Sequence, residues 1–187
     1  MTPLELAANG VMAASIGLAA VNHVATWPLG IVGCLLFGVL FHGTQLYADA
    51  LLQVFFVATS VAGWRRWRRE DLPPVTRTTP RALAGMAGAA AAVALAHGAL
   101  LRAFTDAWAP FADAAVLAFS VVAQLLLMRR RLETWAFWLL VNTVSVPLFA
   151  SRGLWVTAGL YAVFWCNAWW GGWRWWRQWR AATGGAP

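Results

Sequence analysis

A chain of 187 residues is ordinarily one soluble domain, but here 61% of residues are apolar and only 11% are charged, against roughly a quarter charged in globular proteins, so water is excluded as the main solvent. The net charge of +7 does not mark a nucleic-acid binder, because the 14 basic residues, all arginine, sit in short blocks between apolar runs.

The opening run, Met1 to Glu5, carries no positive residue ahead of the first apolar stretch. That stretch is therefore expected to remain as a membrane span and not to be cleaved as a signal peptide. Crossing the hydrocarbon layer takes about 20 predominantly apolar residues. Seven stretches qualify in chain order: 4–24, 28–43, 46–64, 81–101, 108–128, 134–151 and 154–173. Each is expected to be a helix, since in lipid every backbone donor and acceptor needs an internal partner and the alternation of a barrel strand is absent.

Polar side chains inside such spans are costly and mark candidate sites. The second stretch is short and reads as broken by Pro28, Gly30, Gly33 and Gly38; the sixth is also short and holds Pro147. On the third, Asp49, Gln53, Phe56 and Ser60 share one helical stripe, with Asp49 near enough to the outer end to be solvated. Gln53 and Phe56 face together below the surface. The fifth contributes the buried amide Gln124, and the acid Asp113 about one turn in. On the sixth, Trp135, Trp138 and Asn142 fall at i, i+3 and i+7, which puts two stacking faces and a carboxamide on one stripe. The seventh pairs Phe164 with Asn167 and ends in an Arg-Trp tail read as an interface anchor.

No catalytic constellation emerges. His23, His42 and His97 lack mutual spacing, Cys34 and Cys166 lack metal-ligand spacing, and Glu5, Glu70, Asp71, Asp106 and Glu133 sit in connections or at ends. No metal and no cofactor is expected. A proton relay would need acids near the midplane, and the sequence places none there, so any movement of a solute through the spans is expected to be passive.

The arginines set the orientation. Arg65, Arg66, Arg68, Arg69, Arg77 and Arg81 flank the third connection, Arg129, Arg130 and Arg131 the fifth, and Arg174, Arg177 and Arg180 the C-terminus. With seven spans all three blocks fall on one face and only Arg102 and Arg152 on the other. The positive-inside rule then puts the N-terminus outside and the C-terminus in the cytoplasm.

Sliding the chain by about 108 residues superposes Trp27 on Trp135, Leu40 and Phe41 on Leu148 and Phe149, Phe56 on Phe164, Gly63 on Gly171, and Arg66 and Trp67 on Arg174 and Trp175. The first three spans (4–67) thus repeat as the last three (108–175), joined by a linker helix (81–101) and followed by a cytoplasmic tail (176–187). The fold class is all-α integral membrane, a parallel 3+1+3 repeat of the kind found in SWEET transporters, with a site near the midplane between repeats.

Along most of its length the chain resembles the PnuC family of vitamin transporters. The resemblance rests on Trp27-Pro28-Leu29-Gly30-Ile31, on Leu46-Tyr47-Ala48-Asp49-Ala50-Leu51-Leu52-Gln53, on Gly63-Trp64, and on Arg131-Leu132-Glu133-Thr134-Trp135 leading through Trp138 and Asn142 to Gly153-Leu154-Trp155 and Gly171. It implies a homotrimer in a bacterial inner membrane, taking up nicotinamide riboside by facilitated diffusion. It further implies trapping by a cytoplasmic kinase, feeding NAD biosynthesis, with no enzymatic activity in the membrane. The expected substrate contacts are Trp138, Asn142, Gln53, Trp135, Gln124, Asn167, Phe56 and Phe164. Stacking of the pyridinium on Trp138 would add a cation–π term of about 1 to 2 kcal/mol. Related carriers on the same scaffold take thiamine or riboflavin, which are also flat nitrogen-rich rings. An embedded enzyme or a non-transporting assembly factor is the alternative from another class. Beyond the vitamin precursor and membrane lipid, no nucleic-acid partner is expected.

Overall fold

The computed structural model describes residues 3–43, 47–68, 74–105, 109–151 and 155–184. Among them are seven helices and no strand: α1 (Pro3–Ala20), α2 (Thr26–Gly43), α3 (Tyr47–Trp67), α4 (Pro80–Phe104), α5 (Pro110–Met128), α6 (Thr134–Ser151) and α7 (Trp155–Ala182). Arg69, Glu70, Asp71, Asp106 and Arg152 lie outside the described residues, as do the side chains of Glu5 and Asp49. Helices α4 and α5 are long and apolar enough to cross a membrane, and Leu6–Ala20, Thr26–Leu40 and Thr134–Leu148 are shorter apolar runs. Helix α4 leaves Val93, Leu95, Leu100 and Phe104 uncovered, a surface suited to lipid and costly in water.

One expectation is corrected and another extended. The second span is not broken: Pro28 falls in the first turn of α2, where a missing N–H costs nothing, and the helix continues to Gly43. The seventh helix does not stop at 173 but runs 28 residues to Ala182. At 1.5 Å per residue that is about 42 Å, longer than the roughly 30 Å hydrocarbon layer, so the helix carries its Arg-Trp segment past the layer.

The chain divides into two compact units, Met1–Pro74 and Val75–Pro187. In the first, α2 packs against both α1 and α3. Helix α1 ends at Ala20 because Asn22 adopts the left-handed conformation, φ 60°. The Asn22 N–H then donates to Ala19 O (3.0 Å) and the His23 N–H to Leu18 O (2.9 Å), which closes the helix in a Schellman turn. Ser15 and Thr26 lock α1 to the start of α2: the Thr26 hydroxyl donates to Ser15 O and the Ser15 hydroxyl to Thr26 O, both at 2.7 Å. Helix α3 closes on α2 where Gly63 lets the Trp27 ring lie directly on its backbone; a Cβ there would stand 2.5 Å from the ring carbons. The Trp27 ring meets Trp67 edge-on, centroids 5.2 Å apart at 86°.

In the second unit α4 packs on α5, α5 on α6 and α6 on α7. Small residues set the α4–α5 seam, with Ala90 and Ala94 against Ala114 and Ala118, and Gly98 against the Phe111 ring. The contacts of the first unit recur 108 positions later. Arg130 takes the left-handed φ of 53°, its N–H donates to Leu127 O (2.9 Å), and the Arg131 N–H donates to Leu126 O (3.0 Å). The Thr134 hydroxyl donates to Ala123 O at 2.8 Å, as Thr26 does to Ser15 O. Trp135 lies over Gly171 and meets Trp175 edge-on at 5.4 Å and 89°.

The segment ahead of α4 is held to the α5–α6 turn. Thr76 pairs with it through its N–H to Arg130 O (3.1 Å) and by accepting from the Leu132 N–H (2.9 Å). The buried Glu133 carboxylate accepts from the Thr78 N–H (2.9 Å) and pairs with Arg77 Nε at 3.3 Å. Thr79 caps α4, its hydroxyl accepting from the Ala82 N–H, with Pro80 at the first helical position.

Candidate functional site

Contacts that recur in both units are scaffold, and positions where the two units diverge are where a site can have been built. Trp135, expected at the site, belongs to the scaffold: it is 4% exposed, its ring is covered by Gly171, Gly172 and Trp175, and Trp27 sits in the same surroundings in the first unit. No ring face is left for a ligand.

Farther along α6 the two units part. Trp138, Asn142 and Ser145 stand at i, i+4 and i+7 on one stripe, and the matching positions of α2 are Gly30, Cys34 and Phe37. Gly30 packs against the hydroxyls of Ser15 and Ser60, and Cys34 is buried. A packing stripe in α2 is thus an indole, a carboxamide and a hydroxyl in α6. Asn142 is 3% exposed and Ser145 wholly buried. The Ser145 hydroxyl has no hydrogen-bond partner among the described residues. An unsatisfied buried hydroxyl costs about 1 to 3 kcal/mol and calls for an explanation such as a ligand. Trp138 is half-buried, packed against the cluster of Ala123, Leu126 and Phe137.

The remaining candidates occupy polar or half-buried positions in both units. On α5, Gln124 is buried one turn from the buried Ser120. On α7, Phe164 and Asn167 are half-buried, and Tyr161 packs on Phe164 with ring centroids 5.7 Å apart. In the first unit Gln53 lies against Gly38 of α2, and the half-buried Phe56 meets Phe55 edge-on. The divergence criterion also separates these residues, since Gln53, Gln124 and Asn167 match Tyr161, Ile16 and Thr59 whereas Phe56 and Phe164 match each other.

Ser145 had escaped the sequence reading. A serine among Val144, Val146 and Pro147 reads as a small packing residue, and only its burial without a partner singles it out. Chemically the stripe can stack a flat ring and exchange hydrogen bonds with a carboxamide or hydroxyl. No group of three or more His, Cys, Asp or Glu able to hold a metal occurs among the described residues. His23 is engaged locally, its Nδ1 accepting from the Ala25 N–H at 3.2 Å.

The profile of the family described as nicotinamide mononucleotide transporter matches residues 2–177. The nicotinamide riboside transporter PnuC of Escherichia coli is 29% identical over 178 residues, covering 79% of this chain and 74% of that protein. The riboflavin/roseoflavin transporter RibM of Streptomyces davaonensis is 30% identical over 154 residues, covering 78% of this chain and 71% of that protein. A solved structure, the crystal structure of the vitamin B3 transporter PnuC, has the same fold, with a TM-score of 0.75 at 20% identity over 94% of this chain and 81% of that one.

Proposed function

The chain belongs to the nicotinamide mononucleotide transporter family, a membrane transporter family, and we propose that within it this protein imports nicotinamide riboside by facilitated diffusion. The observation that carries the reading is the α6 stripe, where the buried Asn142 carboxamide and the unpartnered Ser145 hydroxyl follow Trp138 on one face. Nicotinamide riboside has a cationic ring to stack on an indole, a carboxamide to pair with an amide, and ribose hydroxyls for the remaining polar groups. Within the same unit Gln124 and Asn167 supply further amides, and Phe164 an apolar wall. The 29% identity to a nicotinamide riboside transporter supports the same substrate.

Uptake down a gradient needs no ion coupling when a cytoplasmic kinase phosphorylates the product and so traps it. In α4 to α7, Asp113, near the start of α5, is the one acid inside a helix among the described residues, which favours a carrier without a proton relay. The protein sits in this reading in a bacterial inner membrane as a homotrimer, with its arginine blocks and C-terminus cytoplasmic. The contacts shared at an offset of 108 residues support two parallel three-helix repeats, 4–67 and 108–175, with α4 between them in sequence.

A second reading, riboflavin uptake, draws on the 30% identity to a riboflavin/roseoflavin transporter and on the indoles of α7, Trp165, Trp169, Trp170 and Trp173. Proteoliposome uptake and tryptophan quenching with nicotinamide riboside, thiamine and riboflavin separate the substrates. Saturable uptake of nicotinamide riboside alone is the expected result, and entry of another vitamin with nicotinamide riboside excluded would sink it.

A further inference from the structure

The second unit carries a basic cavity lined by none of the three residues of the α6 stripe. It lies where the N-terminus of α4 meets the end of α5, encloses about 350 Å³, and has Arg77, Arg129 and Arg131 at its rim beside Thr78 and Thr79. Its floor is apolar, formed by Ala82 and Met86 of α4 and Leu126 of α5. Two of the three arginines are held in place. The Arg131 guanidinium donates to Arg77 O at 2.7 Å, and Arg77 is braced between the Glu133 carboxylate and the Trp179 ring, 5.3 Å from the centroid. Arg129 is exposed and forms no ion pair among the described residues. Glu133 offsets one positive charge, which leaves the rim with an excess of positive charge among the described residues.

Two further observations point to a ligand. The Thr78 hydroxyl is shielded from solvent and has no partner among the described residues. The cavity also opens at the N-terminus of a 25-residue helix, where the helix dipole favours an anion. The height is that of a lipid headgroup: Trp179, stacked on Arg77, belongs to the indole-rich end of α7, and such rings collect at the membrane–water boundary.

We infer that this cavity binds the phosphate headgroup of an anionic phospholipid, with the start of an acyl chain against Ala82, Met86 and Leu126. The apolar floor decides between lipid and a free phosphate, because an inorganic anion would use the rim and gain nothing from methyl and methylene groups beneath it. Basic pockets between membrane helices favour anionic headgroups for the same electrostatic reason.

The test titrates full-length protein in neutral detergent with phosphatidylglycerol, phosphatidylcholine or inorganic phosphate and follows thermal unfolding, with native mass spectrometry to count bound lipid. Phosphatidylglycerol is expected to stabilise saturably and to be retained, phosphatidylcholine and phosphate are not. Arg129→Gln should weaken the phosphatidylglycerol response about fivefold. Arg129→Lys should restore most of it, and Arg177→Gln, the same charge change on α7, should leave it intact. Equal responses to the two lipids, an Arg129→Gln response equal to that of the unmodified protein, or saturation by inorganic phosphate alone would each overturn the assignment.

Discussion

Trp135 and Trp175 meet edge-on, 5.4 Å apart at 89°, and the Trp135 ring rests on the bare backbone of Gly171. Trp27, Trp67 and Gly63 form the same arrangement in the first unit. Edge-to-face pairs contribute about 0.5–1.5 kcal/mol beyond burial, but only if the helices approach this closely. A methyl group on Gly171 would stand 2.6 Å from the ring carbons of a buried indole that has nowhere to go. Gly171→Ala and Gly63→Ala should therefore each destabilise by about 1–3 kcal/mol in detergent melts. Gly159→Ala, which meets nothing within 4 Å, serves as control; a loss there as large as at Gly171 would show that helix flexibility, not ring contact, is being measured.

Asn22 and Arg130 hold the two matching left-handed turns, φ 60° and 53°. Asparagine tolerates this region, and a β-branched residue does not. Asn22→Val should cost about 1–2 kcal/mol and Asn22→Gly less than half of that, read as unfolding midpoints. Arg130 is more constrained. Its carbonyl accepts from Thr76 and its guanidinium lies 5.9 Å from the Trp175 centroid, while burial pushes its pKa down to about 10, so it stays charged at neutral pH.

Helix number and the 108-residue correspondence were legible because apolar run length and Trp, Gly and Arg positions survive as sequence patterns. Asn22 could have marked the end of α1, since asparagine is a known helix stop, but the apolar run continues past it through Val24 and Ala25 and masked it. Pro28 misled in the other direction: a proline breaks a helix only beyond its first turn, and the start of α2 is set by the Ser15–Thr26 hydrogen bonds, which no local pattern announces. At the site, spacing alone put Trp135 with Trp138 and Asn142. Burial and the ring contact with Trp175 are tertiary facts that separate the anchor from the stripe.

Glu133 joins the segment before α4 to the α5–α6 turn through the Thr78 N–H and Arg77. Hydrogen bonds to a charged group are worth about 1.5–3 kcal/mol, whereas the exposed side of the Arg77 pair is worth little. Glu133→Ala should lower stability by roughly 2 kcal/mol, and Glu133→Gln, which keeps an acceptor for Thr78, by about half. Hydrogen exchange at residues 76–79 reports the loosening directly. Unchanged exchange in Glu133→Ala would mean that the Thr76 backbone pairing holds the segment unaided.

Trp138→Ala and Asn142→Ala test the proposed stripe. Both are expected to abolish nicotinamide riboside uptake in proteoliposomes while expression and folding persist. Trp138 also packs against the cluster of Ala123, Leu126 and Phe137, so Trp138→Phe, which keeps a ring, should retain part of the uptake and most of the stability. Normal transport in Trp138→Ala and Asn142→Ala would make the stripe packing only.

Ser145→Ala should move stability and binding in opposite directions. The hydroxyl is wholly buried and has no partner among the described residues, so its removal relieves the ligand-free protein of a desolvated polar group and should raise the melting point by the equivalent of about 1 kcal/mol. If the same hydroxyl bonds the ribose or carboxamide of the substrate, its loss should weaken binding about fivefold to tenfold, measured by tryptophan quenching. A residue that only packs cannot produce that pair of signs, because filling or emptying its place changes both states alike. Stabilisation with unchanged affinity would leave Ser145 outside the site, and Asn142 would then have to orient the ligand from α6 without it.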